Sequence, residues 1–177
     1  MPGIDDQRAF LPVNVAVLTV SDSRTEADDK SGDLLVNRLQ ACGHLLVDRK
    51  IIPDEFDDIV KQIMVWSADS SIDVVIASGG TGVTGRDVTP EAFESLYDKS
   101  IPGFGELFRV ISFQKIGTST IQSRATAGLK NGTYLFALPG SPSACRDAWD
   151  EILVHQLDNR YRPCNFVELM PRLREGH

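Results

Sequence analysis

Histidine and cysteine are scarce in this chain, and what there is lies scattered: His44, His155 and His177, with Cys42, Cys145 and Cys164. The absence of a C-x-x-C pair and of metal-ligand histidine spacing argues against a zinc site and a disulfide framework. Reduced thiols in a cytoplasmic protein are the expectation. No G-x-S-x-G and no histidine paired with a nucleophile occurs, so nucleophilic catalysis has no support. No apolar run reaches the roughly 18 residues of a membrane-spanning helix. The opening residues Met1-Pro2-Gly3-Ile4-Asp5-Asp6 are acidic and lack a secretory core. Positive charge is also in deficit: 18 Lys and Arg against 25 Asp and Glu leave a net charge of −7. That disfavours nucleic acid or an anionic membrane as a bulk partner, while leaving room for a local basic pocket.

What is present is an alternation of apolar strands and amphipathic helices. A chain of 177 residues, 42% of them apolar, suffices for one domain with a substantial core. Residues 1–12 read as a flexible arm stopped by Pro12. Residues 13–20 form a near-continuous apolar run, the mark of a strand buried on both faces. A helix over about 30–41 follows, stopped by Gly43, and then a strand over 44–52 whose Asp48-Arg49-Lys50 puts it near a sheet edge. Asp54-Glu55 open a second helix with a stripe of Phe56, Ile59, Val60, Ile63 and Met64. A third strand, 72–78, runs into a glycine loop. Beyond it, Thr89 is a plausible cap with Pro90 at the first helical position, and Phe104, Leu107, Phe108 and Ile111 mark another helix.

Strands at 124–130 and 133–138 meet at Asn131-Gly132, a strong two-residue hairpin signal. Asn131-Gly132-Thr133 also fits a glycosylation sequon, most simply read as the turn itself. Pro139-Gly140-Ser141-Pro142 starts the last long helix, lined by Cys145, Ala148, Trp149, Ile152 and Leu153. Trp66 and Trp149 are expected to cover the sheet, and His155 to be a solvated surface residue. The pattern predicts an α/β three-layer sandwich with a mostly parallel sheet and an antiparallel edge.

Ligands of such sheets bind at the carboxyl ends of strands. Three polar ends then converge: Thr19-Val20-Ser21-Asp22, residues 78–82, and Pro139-Gly140-Ser141-Pro142. The loop from Ser78 to Pro90 is rich in glycine, which lets backbone N–H groups turn toward an anion such as phosphate. Gly80-Thr81-Gly82-Val83-Thr84-Gly85 fits G-x-G-x-x-G in letters, but it follows the third strand and leads into a delayed helix, unlike a dinucleotide fingerprint. The glycine spacing also matches a P-loop, yet Arg86-Asp87 replace its Lys and Ser/Thr. A carboxylate at Asp87 beside a phosphate cradle makes sense if it holds Mg²⁺. Asp54 is either a helix cap or a second catalytic carboxylate. Ser141 caps a helix and can also meet an anion there. Arg124 is a pocket cation or a strand-edge charge.

Gly79-Gly80-Thr81-Gly82, then Arg86-Asp87-Val88-Thr89-Pro90-Glu91-Ala92, Pro102-Gly103-Phe104-Gly105-Glu106 and Leu138-Pro139-Gly140-Ser141 together resemble the MoaB/Mog family of molybdenum cofactor biosynthesis. Thr19-Val20-Ser21-Asp22-Ser23 and Asp29-Lys30-Ser31-Gly32 fit it too. Residues 116–124 and 162–166 resemble its B branch. The resemblance covers about residues 13–165 as a single molybdopterin-binding domain, leaving 166–177 as a C-terminal tail. It implies the molybdopterin-binding fold, assembled as homotrimers or homohexamers. It also implies molybdopterin as substrate, ATP as co-substrate and Mg²⁺, with AMP transferred to the pterin's terminal phosphate. A non-catalytic protein of the same fold that binds molybdopterin or its precursor is the alternative. Other proteins of the same biosynthesis are expected partners. By resemblance Asp54 and Asp87 are the catalytic and metal-holding positions. Thr19, Ser21, Gly79, Gly80, Thr81, Gly82, Thr89, Gly140 and Ser141 are the substrate-binding ones. The chain departs from the family pattern at Thr84-Gly85, which is expected to shift Asp87 slightly.

Overall fold

The structure is a computed structural model describing residues 1–175; His177 lies outside them. In chain order the elements are β1 (Gly3–Ile4), β2 (Asn14–Val20), α1 (Lys30–Ala41), β3 (Leu45–Ile52), α2 (Phe56–Ala68), β4 (Val74–Ser78), α3 (Thr89–Glu94), β5 (Lys99–Ser100), α4 (Pro102–Ile116), β6 (Thr126–Lys130), β7 (Thr133–Leu138), α5 (Pro142–Ala148), α6 (Val154–Gln156) and β8 (Tyr161–Arg162). A 3₁₀ turn, Gly117–Gln122, leads from α4 toward β6, and a π turn, Trp149–Leu153, joins α5 to α6. Among the described residues no helix is long and apolar enough to cross a membrane.

Six strands form one sheet in the order β3-β2-β4-β7-β6-β5. The β2–β3, β2–β4 and β4–β7 pairs are parallel, while β6 runs antiparallel to both β7 and β5. The predicted mostly parallel sheet with an antiparallel edge is what forms. Its central strands are apolar throughout because both faces are covered. On one face Val15, Val17, Ile76 and Phe136 meet Leu35 and Leu39 of α1 and Trp149 beyond α5. On the other, Ala16, Leu18, Val75 and Leu135 meet Ile59, Ile63 and Trp66 of α2 and Phe93 of α3. Each buried side chain of leucine or phenylalanine size stabilises the fold by about 1.5–3 kcal/mol. The hairpin turn is also as predicted: Asn131 (φ 52°) and Gly132 (φ 81°) both adopt the left-handed backbone that a two-residue hairpin requires.

The helix starts differ from expectation. α2 begins at Phe56, with Glu55 rather than Asp54 at its cap position. Its buried face turns toward Trp66, whose Nε1 donates to Asp48 on β3 at 2.9 Å, leaving Phe56 39% and Met64 42% exposed. Ile59 and Ile63 of the predicted stripe are fully buried and Val60 packs beside them, while Trp66 extends the same face over the sheet and the stripe's margins, Phe56 and Met64, stay partly exposed. α3 begins at Thr89 itself, preceded by Val88, so Thr89 makes no cap bond and Pro90 is the second helical residue. His155 is half-buried and tilts against the ring of Tyr161, centroids 4.7 Å apart.

The N-terminal segment, expected as a flexible arm, lies along the domain. β1 pairs antiparallel with β8, Leu11 N–H donates to Asn159 Oδ1 at 2.8 Å, and the Phe10 ring lies against His44. His44 is buried at 3% exposure, and its Nδ1 accepts the Val13 N–H at 3.2 Å. Near the other end, Phe166 and Val167 pack onto the core.

Candidate functional site

Because β2, β4 and β7 are parallel neighbours, their carboxyl ends emerge on one edge of the sheet, as the three polar segments require. Gly79 sits between them with φ 106°; its N–H donates to Leu138 O at 3.0 Å, and a Cβ there would lie 2.1 Å from Val20 O. Only glycine fits. Gly80, at φ 61°, is packed by Thr89 and Asp54, whose Oδ1 would be 2.7 Å from an added Cβ. Gly140 approaches Gly79 so closely that a Cβ would stand 3.0 Å from the Gly79 Cα.

The result is an open cleft of about 690 Å³ lined by Ser21, Asp54, Gly79, Gly80, Thr81, Gly82, Asp87, Gly140 and Ser141. Nine of the residues singled out from sequence therefore converge. A larger groove of about 1260 Å³ runs between α3 and α4, but the converging strand ends face the smaller cleft, and ligands of such sheets bind beyond the carboxyl ends of the strands.

Two of the predicted binding residues do not line the cleft. Thr19 is buried, and its hydroxyl donates to the fully buried Asp29 at 2.7 Å. That pair braces the strand end from behind. Thr89 is also fully buried, packed behind Gly80. Its hydroxyl, with those of Ser78 and Ser123, is a buried oxygen without a hydrogen-bond partner among the described residues. All three flank the glycine loop.

The two acidic positions are held in different ways. Asp54 and Asp22 exchange backbone-to-carboxylate hydrogen bonds, both 3.0 Å long. Arg86 forks onto Asp22 at 2.9 and 3.0 Å and reaches Glu55 at 2.8 Å, tying the loop to the start of α2. Burial and the neighbouring Asp22 push the Asp54 carboxyl above the usual range, with Asp87 adding to the effect. Asp87 instead accepts from Thr84 N–H at 2.8 Å and from the Thr84 hydroxyl at 2.6 Å. Partial burial opposes its ionisation, but the bonds from Thr84 and Gly82 and the nearby Arg124 hold its carboxyl below the usual range. Thr84 is thus what anchors Asp87.

Ser141 caps α5, accepting the Ala144 N–H at 3.2 Å. Ser21 Oγ accepts the N–H groups of Ser23 and Arg24, each at 3.3 Å. Sequence reasoning passed over Arg24, the one basic side chain lining the cleft among the described residues. Its guanidinium donates to Gly140 O at 2.8 Å and to Ser31 Oγ at 3.1 Å, bridging two strand ends. The far wall was also missed. It consists of Phe108 and Ser112 of α4 with Ser119, Gln122 and Ser123 around the 3₁₀ turn. Gly117 at φ 59° and the polar run after it, breaking an apolar helix, were the available signal.

A family model described as a probable molybdopterin binding domain matches residues 16–159. The chain therefore belongs to the molybdopterin-binding domain family of molybdenum cofactor biosynthesis proteins. Over 157 residues it is 50% identical to the molybdenum cofactor biosynthesis protein B of Escherichia coli (strain K12), covering 89% of this chain and 92% of that protein. A crystal structure of a molybdenum cofactor biosynthesis protein B superposes with a TM-score of 0.85 at 37% identity, over 94% of this chain and 98% of that one. The tungsten cofactor synthesizing protein MoaB from Pyrococcus furiosus gives a TM-score of 0.77 at 33% identity, over 93% and 98% of the two chains.

Proposed function

We propose that the protein binds molybdopterin in this cleft and transfers AMP from ATP onto the pterin's terminal phosphate, releasing pyrophosphate. One observation carries the reading: Asp54 and Asp87 line the same cleft as the glycine loop and Ser141. The donor set suits Mg²⁺. Among the described residues no group of three or more His, Cys, Asp or Glu forms a metal cage, and Mg²⁺ characteristically takes one or two carboxylates, substrate phosphates and water. Asp54, whose ionisation is opposed by burial and then by the neighbouring Asp22 and Asp87, is the carboxylate a cation would relieve. Bound there, Mg²⁺ would neutralise phosphate charge and orient ATP.

No protein nucleophile is needed. A pterin phosphate oxygen forms the new bond to the α-phosphorus of ATP as the bond to pyrophosphate breaks. Loop N–H groups other than those of Gly79, Gly82 and Thr84, which already bond within the protein, would cradle phosphate, Asp54 and Asp87 would hold the metal directly or through water, and the cleft supplies alignment. Work in the cytoplasm alongside other proteins of this biosynthesis, as a homotrimer or homohexamer, completes the proposal. Leu107, Val110, Phe113 and Ile116 on α4, between 46% and 59% exposed, offer a second copy an apolar face.

The test is Mg-ATP-dependent pyrophosphate release in the presence of molybdopterin, for wild type, Asp54→Ala and Asp87→Ala. Each variant should lose at least about a hundredfold in rate, as expected when a group stabilising transition-state charge is removed. Wild-type protein that binds the pterin but never forms the adenylylated product would refute the enzymatic reading and leave a binding protein. Variants as active as wild type would refute the roles of the two carboxylates.

A further inference from the structure

We propose that Arg124 is a positioning residue that fixes the glycine loop and, through it, the Asp87 carboxylate. The inference deepens the adenylylation reading and rests on it for its kinetic consequence. The geometry stands by itself. Arg124 lies between the 3₁₀ turn and β6, and it grips the loop at three successive places. Its backbone N–H donates to Thr81 O at 3.2 Å. Its Nε donates to Gly82 O at 2.7 Å and its Nη2 to Asp87 O at 2.8 Å. The remaining arm, Nη1, pairs with Glu91 of α3.

The guanidinium therefore spans the loop from its first turn to the residue that carries the acid. It is not a cation of the smaller cleft, which Ser123 lines instead; its side chain borders the larger groove between α3 and α4. Nor is it a free strand-edge charge, because each terminal nitrogen and Nε has an acceptor.

The shape of arginine matters here. Two carbonyls five residues apart are held by one rigid planar fork, which the single ammonium of lysine cannot reproduce. Thr84 closes the loop from inside by binding the Asp87 carboxylate, and Arg124 closes it from outside by binding the backbone. With the outer clamp removed, the carboxylate would sample several positions. Orientation, not binding, is what the reaction would lose.

Two readouts test this, one independent of activity. First, hydrogen–deuterium exchange of the 80–88 segment should rise about tenfold or more in Arg124→Gln, the loss of two charge-assisted hydrogen bonds. Arg124→Lys should fall between the two, and it serves if the glutamine variant does not fold. Unchanged exchange in the folded variants would overturn the clamp even if the protein proves to be no adenylyltransferase.

Second, Arg124→Gln should lower kcat at least about tenfold, with the affinity for molybdopterin changed no more than about twofold. Placed on Asp87→Ala, the same substitution should cost nothing further, because it acts through the missing carboxylate. Multiplicative losses in the double variant would overturn the proposal, since Arg124 would then act independently of Asp87. A wild-type protein without adenylylation activity refutes the functional reading alone, and the exchange result still decides the clamp.

Discussion

Replacing Gly79 by alanine should damage the fold itself. The residue sits at φ 106°, outside what an L side chain adopts comfortably, at about 1–3 kcal/mol. The added Cβ would lie 2.1 Å from Val20 O, a backbone atom at the end of a central strand. Relieving that overlap adds about 1–3 kcal/mol. The sum of about 2–6 kcal/mol is a large share of a domain's total stability. At about 2–4 °C per kcal/mol for a chain of this size, the melting temperature should fall by about 4–24 °C. Gly82→Ala is the matched control. Gly82 is not in a left-handed conformation, and its Cβ would meet only the tip of Asp87, 2.8 Å from Oδ2. That variant should melt within about 3 °C of wild type while displacing the Asp87 carboxylate. Thermal unfolding followed by circular dichroism measures both. If Gly79→Ala melted as close to wild type as Gly82→Ala, the reasoning from Val20 O would be wrong.

Two buried titratable groups extend the same reasoning to pH. Burial opposes ionisation of Asp29, but Arg49, the Thr19 hydroxyl and the Gly32 N–H outweigh it and hold the carboxyl below its usual range. A depressed carboxylate stabilises the fold above its unfolded pKa, and that contribution fades as pH falls through the folded one. Asp29→Asn should therefore cost about 3 kcal/mol at pH 7, with the gap to wild type closing below about pH 4; a gap constant from pH 7 to pH 3 would contradict this. His44 is depressed by burial, against the pull of Asp158, so the unfolded chain takes up the proton first. Wild type should lose stability as pH drops below about 6.5, and His44→Gln should flatten that slope. An identical slope in both proteins would place the titration elsewhere.

The sheet was legible because its strands are apolar on both faces and its breaks are chemically explicit. Gly43, Pro53, Asn131-Gly132 and Pro142 mark boundaries by backbone restriction alone, which needs no knowledge of the rest of the chain. The cleft's near wall was legible for the same reason, since strand ends are local features. Its far wall was not: Phe108 reaches the site through the docking of α4 and Ser119 through the 3₁₀ turn that follows Gly117, both tertiary facts. Thr19 and Thr89 misled because a polar residue beside a site can face away from it. Whether a hydroxyl points into a cleft or into Asp29 depends on a partner ten residues on. In the core, α2 buries the predicted Ile59 and Ile63 together with Trp66, and only the stripe's margins, Phe56 and Met64, differ, because which marginal residues are covered depends on the sheet beneath.

The sheet separates two hydrophobic clusters, one under α1, α4 and α5 and the other under α2 and α3. The cleft straddles that divide, with Asp54 supplied from the α2 side, Phe108 and Ser141 from the opposite layer, and Gly79 from the sheet edge between them. A chain with only one layer docked has half a cleft. Any ligand that spans the cleft must therefore bind the fully assembled domain alone, adding about 2.7 kcal/mol to unfolding at a hundredfold excess over its Kd. Occupancy of the site and joint consolidation of both cores would then be a single thermodynamic event.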